Sequence, residues 1–149
     1  MENTKPINIL LVEDTDNDVI ITQRAFKKVK VTNDLYIVRD GQEALDFIFH
    51  EGKYAETKPP TPGLILLDIN MPKINGFQVL ERLKSNPVYK IIPIVMLTVS
   101  DRDEDIVRSY NGGAVSYITK PVNFESFVNV IEQFEIYWTL VSKVPKVKG

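Results

Sequence analysis

Five short runs of apolar and β-branched residues recur along the chain, separated by longer segments whose apolar residues have helical spacing. The runs occupy residues 7–12, 35–38, 64–67, 94–98 and 114–119. Strands that are apolar at consecutive positions are buried on both faces, and the intervening segments are long enough for crossovers between parallel strands. We therefore predict an α/β fold, a doubly wound five-stranded parallel sheet with about five helices on both faces.

Composition narrows the possible functions. The chain has 149 residues and a net charge of −2, which suits one domain and gives no sign of nucleic-acid binding by bulk electrostatics. It contains no Cys, which excludes disulfides, thiolate metal sites and thiol nucleophiles. The N-terminus lacks the pattern of a secretory signal, and no apolar run approaches the ~20 residues of a membrane span. We expect a cytoplasmic protein that does not contact a membrane.

Chemically active side chains follow four of the predicted strands. The stretch LILLDINMPK, residues 64–73, carries an apolar strand directly into Asp68. Glu13 and Asp14 follow the first strand, Thr98 ends the fourth, and Lys120 follows the fifth. Ligands of open α/β sheets bind outside the carboxyl ends of the strands, so we expect these side chains to converge.

Three crowded carboxylates repel one another unless a cation is present. Oxygen ligands without His or Cys favour Mg²⁺, and the backbone carbonyl of Asn70 is placed to complete a set with Glu13, Asp14 and Asp68. Asp68 can then attack phosphorus as a nucleophile, while Thr98 and Lys120 hold the transferred oxygens. The sequence therefore predicts that Asp68 accepts a phosphoryl group.

The motifs ILLVEDTDND, LILLDINMPKINGFQVL, IVMLT and GGAVSYITKPVNFESFVNVI, in this order, resemble the receiver domain of two-component response regulators. The resemblance implies a flavodoxin-like fold with strand order 2-1-3-4-5, Mg²⁺ at the four residues named above, and phosphorylation of Asp68 by a histidine kinase. It also implies a cis peptide between Lys120 and Pro121. Tyr117 corresponds to the aromatic switch residue, which turns inward when Thr98 moves toward the phosphoryl group.

A narrower resemblance concerns single-domain regulators that are associated with phytochrome-type sensor kinases. It rests on the proline-rich loop before the third strand, on DIVRSY and on the aromatic IEQFEIYW. It implies a phytochrome-type kinase as partner. From the length and the extent of the receiver motifs we expect one receiver domain over residues 1–149, with a core at 7–141, a basic tail at 142–149 and no output domain. Such a protein is not an enzyme beyond assisting its own phosphorylation and dephosphorylation. Val99 departs from the small residue that is usual there.

Three alternatives belong to other classes. LILLDIN also resembles the nucleophile motif of haloacid-dehalogenase-like phosphatases, but these enzymes need an acid where Asn70 stands. A flavodoxin needs a phosphate-binding first loop, whereas EDTDND presents four acids. A phosphorylation-independent scaffold of the same fold stays open, although the intact acceptor set counts against it.

The last two predicted helices carry more apolar residues than one buried face requires. The surplus residues that we expect at a homodimer interface are Ile106, Tyr110, Val130 and Tyr137. Tyrosine suits interfaces because it joins a large apolar area to a polar tip. The downstream partner and the effect of phosphorylation on the dimer do not follow from the sequence.

Overall fold

The computed structural model of the chain describes residues 8–28, 34–99, 102–120 and 129. Its strands are β1 (Ile9–Val12), β2 (Leu35–Val38), β3 (Leu64–Asp68), β4 (Ile94–Thr98) and β5 (Ser116–Thr119). Its α-helices are α1 (Asp16–Lys28), α2 (Gly41–Phe49), α3 (Gly76–Lys84) and α4 (Asp103–Asn111). The predicted fifth helix lies outside the described residues apart from Asn129, which is helical.

The five strands form one parallel sheet in the order β2-β1-β3-β4-β5, as predicted. β2 lies on one side of β1, and β3, β4 and β5 follow on the other side. The crevice between the carboxyl ends of β1 and β3 is therefore the switch point where such sheets bind ligands. Val12 is in register with Leu67, and Thr98 is in register with Thr119. This register decides which residues meet at the ligand-binding edge.

Alternate side chains of each central strand point to opposite faces of the sheet, and both faces are buried. Leu10, Ile65 and Met96 belong to a core that α2 and α3 cover. Leu11, Leu66 and Val95 belong to a second core, to which α1 contributes Val19, Ala25 and Phe26. Helices on both faces explain why the strands are apolar at consecutive positions.

Helix starts depend on local hydrogen bonds. Asn75 forms a capping box with Gln78 at the start of α3, and Asp40 accepts a hydrogen bond from the backbone of Glu43 at the start of α2. At the start of α4 the cap position is Arg102, which makes no side-chain cap bond. The three acids of the first turn favour the helix start there through its dipole.

The proline-rich segment between α2 and β3 is largely irregular, but it contains one 3₁₀ turn, Gly52–Tyr54, which the sequence did not predict. The Tyr54 hydroxyl donates to Glu43 at 2.7 Å, and Lys53 lies 2.9 Å from the same carboxylate. His50 caps α2 with a left-handed backbone, and its ring contacts the Pro59 carbonyl. These contacts hold the segment against α2.

Candidate functional site

The sheet register brings the predicted acids together. Val12 lies beside Leu67, so Glu13 and Asp68, one residue further along each strand, meet at the carboxyl edge. Carboxylate oxygens of Glu13, Asp14 and Asp68 lie within 4.8 Å of one another. Glu13 and Asp68 are buried, whereas Asp14 is exposed, which leaves the group open to solvent on one side.

Lys120 reaches this group from the end of β5. Its ammonium lies 2.5 Å from Glu13 Oε1, 3.0 Å from Asp18 Oδ2 and 3.5 Å from Asp68 Oδ2. Only 6% of the Lys120 side chain is exposed. Burial alone would lower the pKa of Lys120, but its three carboxylate neighbours outweigh this effect and raise the pKa. Lys120 therefore stays charged and partly neutralises the acids.

The buried position of Asp68 disfavours the charged form of its carboxyl group. Burial raises the pKa of Asp68 to about 7; the Lys120 ammonium opposes the rise, and the Glu13 carboxylate adds to it. The Asn70 backbone N–H donates to Asp68 Oδ1 at 3.3 Å. A second positive charge at this edge would favour the carboxylate form, which is the form that can act as a nucleophile.

The donor set fits a hard divalent cation. Glu13 Oε1 is buried, and the Lys120 ammonium lies 2.5 Å from it. The carboxylate oxygens of Glu13, Asp14 and Asp68 match the oxygen ligands that Mg²⁺ and similar ions take. Asn70 follows Asp68 by two residues and is exposed at the same edge.

Asp18 also contacts Lys120, although the sequence analysis did not select it as a site residue. Asp18 lies in the first turn of α1 and accepts hydrogen bonds from Lys120 and, at 2.8 Å, from the Thr15 hydroxyl. Burial alone would raise the pKa of Asp18, but the bonds from Lys120 and Thr15 lower it. No local spacing signals this contact, because Lys120 lies 102 positions further along the chain.

The structure describes the remaining predicted site residues only in part. The backbone of Thr98 ends β4 beside Thr119, while its side chain lies outside the described part. Tyr117 is half-buried on β5 and packs against the core under α2 and α3. Pro121 lies outside the described residues, so the predicted cis peptide with Lys120 remains a prediction.

The predicted interface residues also differ in exposure. Tyr110 is 48% exposed on α4, whereas Ile106 is only half-buried. The neighbouring Val107 and Val115, which are not among the predicted interface residues, are 55% and 51% exposed. Val130 and Tyr137 lie outside the described residues.

Fold and site together define a class of protein: a parallel α/β domain with an acidic edge, a central aspartate and a facing lysine. The sequence model of the response regulator receiver domain matches residues 9–132. The chain therefore belongs to the response regulator receiver domain family, whose members act in phosphorylation-based two-component signalling.

Similar proteins include several response regulators. Response regulator Rcp1 of Synechocystis sp. is 37% identical over 144 residues, covering 97% of each chain. The structure of its Mn²⁺-bound form has a TM-score of 0.75 and 35% identity, covering 97% of this chain and 100% of that one.

Two further structures are comparably similar. Bacteriophytochrome response regulator RtBRR has a TM-score of 0.79 and 41% identity, covering 86% of this chain and 77% of that one. The phosphorylated cyanobacterial phytochrome response regulator RcpA has a TM-score of 0.76 and 38% identity, covering 91% and 95%. No helix in the described ranges has both the length and the apolar character needed to cross a membrane.

Proposed function

We propose that Asp68 is the phosphoacceptor of this receiver domain and takes the phosphoryl group from a phosphohistidine of a histidine kinase. The observation that carries the proposal is the position of Asp68: its buried carboxylate ends β3, belongs to the acid group with Glu13 and Asp14, and faces the Lys120 ammonium at 3.5 Å. A free carboxylate oxygen at this edge can approach phosphorus in line with the leaving group.

In the transfer, an oxygen of Asp68 forms a bond to phosphorus while the phosphorus–nitrogen bond to the histidine breaks. The electron pair of that bond remains on the imidazole nitrogen. Lys120 balances part of the negative charge on the phosphoryl oxygens, and we assign the Thr98 hydroxyl to one of these oxygens. Asp68 must be deprotonated to attack, so its interactions with nearby positive charge favour the reactive form.

We further propose that the acid group binds Mg²⁺, with Glu13, Asp14, Asp68 and the Asn70 backbone carbonyl as ligands. The oxygen-only donor set, whose oxygens lie within 4.8 Å of one another, supports this assignment, as does the Mn²⁺-bound form of Rcp1. A bound Mg²⁺ supplies positive charge that reduces repulsion between Asp68 and the phosphoryl donor. Glu13 and Asp14 would hold the ion, leaving one Asp68 oxygen free for attack.

Phosphorylation is proposed to act through Thr98 and Tyr117. Thr98 moves toward the phosphoryl group, and Tyr117 turns inward in response. The half-buried position of Tyr117 on β5, which pairs directly with β4, supports this coupling. Lys120 adds a second connection from the site to β5, so a Lys120→Ala variant should retain some phosphorylation but lose the conformational response at Tyr117.

The acceptor is tested with a small phosphodonor such as acetyl phosphate. The wild-type chain should gain one phosphoryl group in the presence of Mg²⁺, and Asp68→Asn should gain none. Glu81→Gln, which removes an exposed acid on α3, is the matched control and should react like the wild type. Labelling of Asp68→Asn at this site, or labelling that chelators do not reduce, would leave a phosphorylation-independent scaffold as the better proposal.

The kinase is proposed to be of the phytochrome type. Support comes from the likeness to the bacteriophytochrome response regulator RtBRR and the cyanobacterial phytochrome response regulator RcpA. In a transfer assay with a panel of autophosphorylated histidine kinases, phytochrome-type kinases should give the highest kcat/KM. Equal transfer from unrelated kinases would contradict the assignment.

The remaining proposals concern the whole chain. We propose one receiver domain over residues 1–149 that works as a homodimer and is not an enzyme beyond its own phosphorylation and dephosphorylation. The family match over 9–132 and the near-complete coverage of Rcp1 support the domain assignment. Exposed apolar residues on α4 and before β5 support the dimer.

A further inference from the structure

We infer that Asp18 is a positioning residue for Lys120: its carboxylate anchors the ammonium beside Glu13 before phosphorylation and competes with the phosphoryl oxygens for it afterwards. The inference deepens the proposed function of Asp68 and rests on it. Asp18 touches neither the phosphoryl group nor the metal in this scheme, and it acts only through Lys120.

The contacts of Lys120 distinguish Asp18 from the other acids. Glu13 and Asp68 belong to the group of acids whose oxygens converge within 4.8 Å, whereas Asp18 does not. Carboxylates that share a divalent cation have less negative charge available for the ammonium. Asp18, at 3.0 Å, is therefore the contact of Lys120 that keeps its full charge when the metal site is filled.

Local structure fixes the Asp18 carboxylate in this position. Asp18 belongs to the first turn of α1, and the Thr15 hydroxyl donates to the same Oδ2 atom that faces Lys120. The Asp18 side chain is 26% exposed, compared with 0% for Glu13. Water can therefore solvate the Asp18 charge when Lys120 leaves it, so releasing the ammonium leaves no buried unpaired charge.

The distances predict a displacement of Lys120 upon phosphorylation. Asp68 is the most distant of the three carboxylates around the ammonium, at 3.5 Å. A phosphoryl group on Asp68 adds negative charge and oxygen acceptors, which attract Lys120 away from Asp18. The Asp18 charge therefore opposes the phosphorylated state, while its negative field strengthens cation binding before phosphorylation.

The two opposite effects of Asp18, on cation binding and on the phosphorylated state, can be measured separately. A merely structural role of Asp18 would not produce changes of opposite sign. Mg²⁺ affinity is measured by calorimetry, and the affinity for beryllofluoride, which mimics a phosphoryl group on a carboxylate, is measured by ¹⁹F NMR at saturating Mg²⁺. Asp18→Asn should bind Mg²⁺ about two- to fivefold more weakly and beryllofluoride about two- to fivefold more tightly, as expected for a partly exposed ion pair. Asp18→Glu, which restores the charge, should return both affinities toward the wild type.

Asp16→Asn is the matched control. Asp16 lies in the same helical turn as Asp18, but its carboxylate pairs with Arg39 and not with Lys120. It should change both affinities less than Asp18→Asn does. Weaker binding of both probes by Asp18→Asn, unchanged beryllofluoride binding, or equal effects of Asp16→Asn would overturn the inference.

The same assay separates this inference from the proposed function. If Asp68→Asn binds beryllofluoride as well as the wild type does, the phosphoacceptor assignment fails and the positioning role of Asp18 fails with it. If the wild type binds and Asp68→Asn does not, while Asp18→Asn behaves like the wild type, only the positioning role fails.

Discussion

At the scale of single residues, Lys120 determines the charge balance of the site. Its buried ammonium lies among three carboxylates, two of which are themselves buried. Such an arrangement depends on both signs of charge being present, because removing one partner leaves an uncompensated buried charge. The stability of the domain and the chemistry of the site are therefore linked through this side chain.

Replacing Lys120 with Met should destabilise the metal-free protein at neutral pH. We expect the free energy of unfolding to fall by about 3 kcal/mol, because Glu13 and Asp68 lose their shared cation. Added Mg²⁺ should recover much of this loss, since ligands that bind only the folded state stabilise it. Urea unfolding with and without Mg²⁺ measures both effects.

The exposed Lys27→Met variant of α1 serves as the control and should unfold like the wild type. A Lys120→Met protein that is as stable as the wild type without metal would show that the acids do not depend on Lys120.

At the scale of elements, the approach of α3 to the end of β3 controls the loop around Asp68. Gly76 begins α3, and its N–H donates to the Ile69 carbonyl at 2.9 Å. A Cβ atom at Gly76 would clash with the Asp68 carbonyl oxygen and lie 2.8 Å from Ile69 Cα. Both neighbours are backbone atoms, so the helix can start this close to the phosphoacceptor only with glycine.

Gly76→Ala should therefore destabilise the domain, even though alanine is the better helix former. We expect a loss of about 1–3 kcal/mol in denaturant unfolding, the cost typical of overpacking a close contact. The reaction with acetyl phosphate should also slow, since relief of the clash displaces Asp68. Glu81→Ala, an exposed change on the same helix, should leave both measurements nearly unchanged.

The segment after α2 gives a pH-dependent prediction. Burial alone would raise the pKa of Glu43, but hydrogen bonds from Tyr54, Lys53 and the Arg39 backbone lower it from its ordinary value of 4.5. Because the folded-state pKa is lower than the unfolded one, the stabilisation is complete above that ordinary value. It is lost as pH falls through the lower, folded-state pKa.

Tyr54→Phe removes the hydroxyl that donates to Glu43 at 2.7 Å, so it should cost about 0.5–1.5 kcal/mol at neutral pH. The difference from the wild type should shrink in unfolding measurements as Glu43 becomes protonated. Tyr110→Phe changes an exposed tyrosine on α4 and should show no such pH dependence. A Tyr54→Phe difference that stays constant down to acid pH would contradict the role of Glu43.

At the scale of the whole molecule, the two buried cores contrast with an exposed apolar surface formed by Val107, Tyr110 and Val115. Val107 and Tyr110 are three residues apart on α4 and therefore share a face of the helix. Val115 precedes β5, which α4 contacts. Apolar side chains grouped in this way are typical of a protein interface.

We expect the protein to sediment as a homodimer at micromolar concentration. A double variant with Val107→Asp and Tyr110→Asp should be monomeric, because charged groups at the centre of an apolar interface are left unpaired. These positions are better probes than Ile106, whose half-buried side chain also contributes to the fold. Ile91→Asp, an exposed apolar position 50% accessible to solvent, is the control and should still form the dimer. A wild-type protein that is monomeric both with and without beryllofluoride would refute the prediction.

Periodicity and strand-end chemistry in the sequence by themselves determined the five strands, their parallel sheet and the edge that carries the acids. This was possible because burial on both faces leaves an uninterrupted apolar pattern, and because strand ends of parallel sheets share one edge. Glu13, Asp14 and Asp68 could be grouped on this basis before any distance was known.

Only the tertiary structure decided how Lys120 is held and which residues of α4 face outward. The contact between Asp18 and Lys120 joins residues 102 positions apart, and no local pattern encodes it. Likewise, the apolar residues of α4 divide into half-buried Ile106 and exposed Val107 according to how the helix rotates against the sheet. Helical spacing fixes which residues share a face, but packing against the rest of the chain fixes which face is buried.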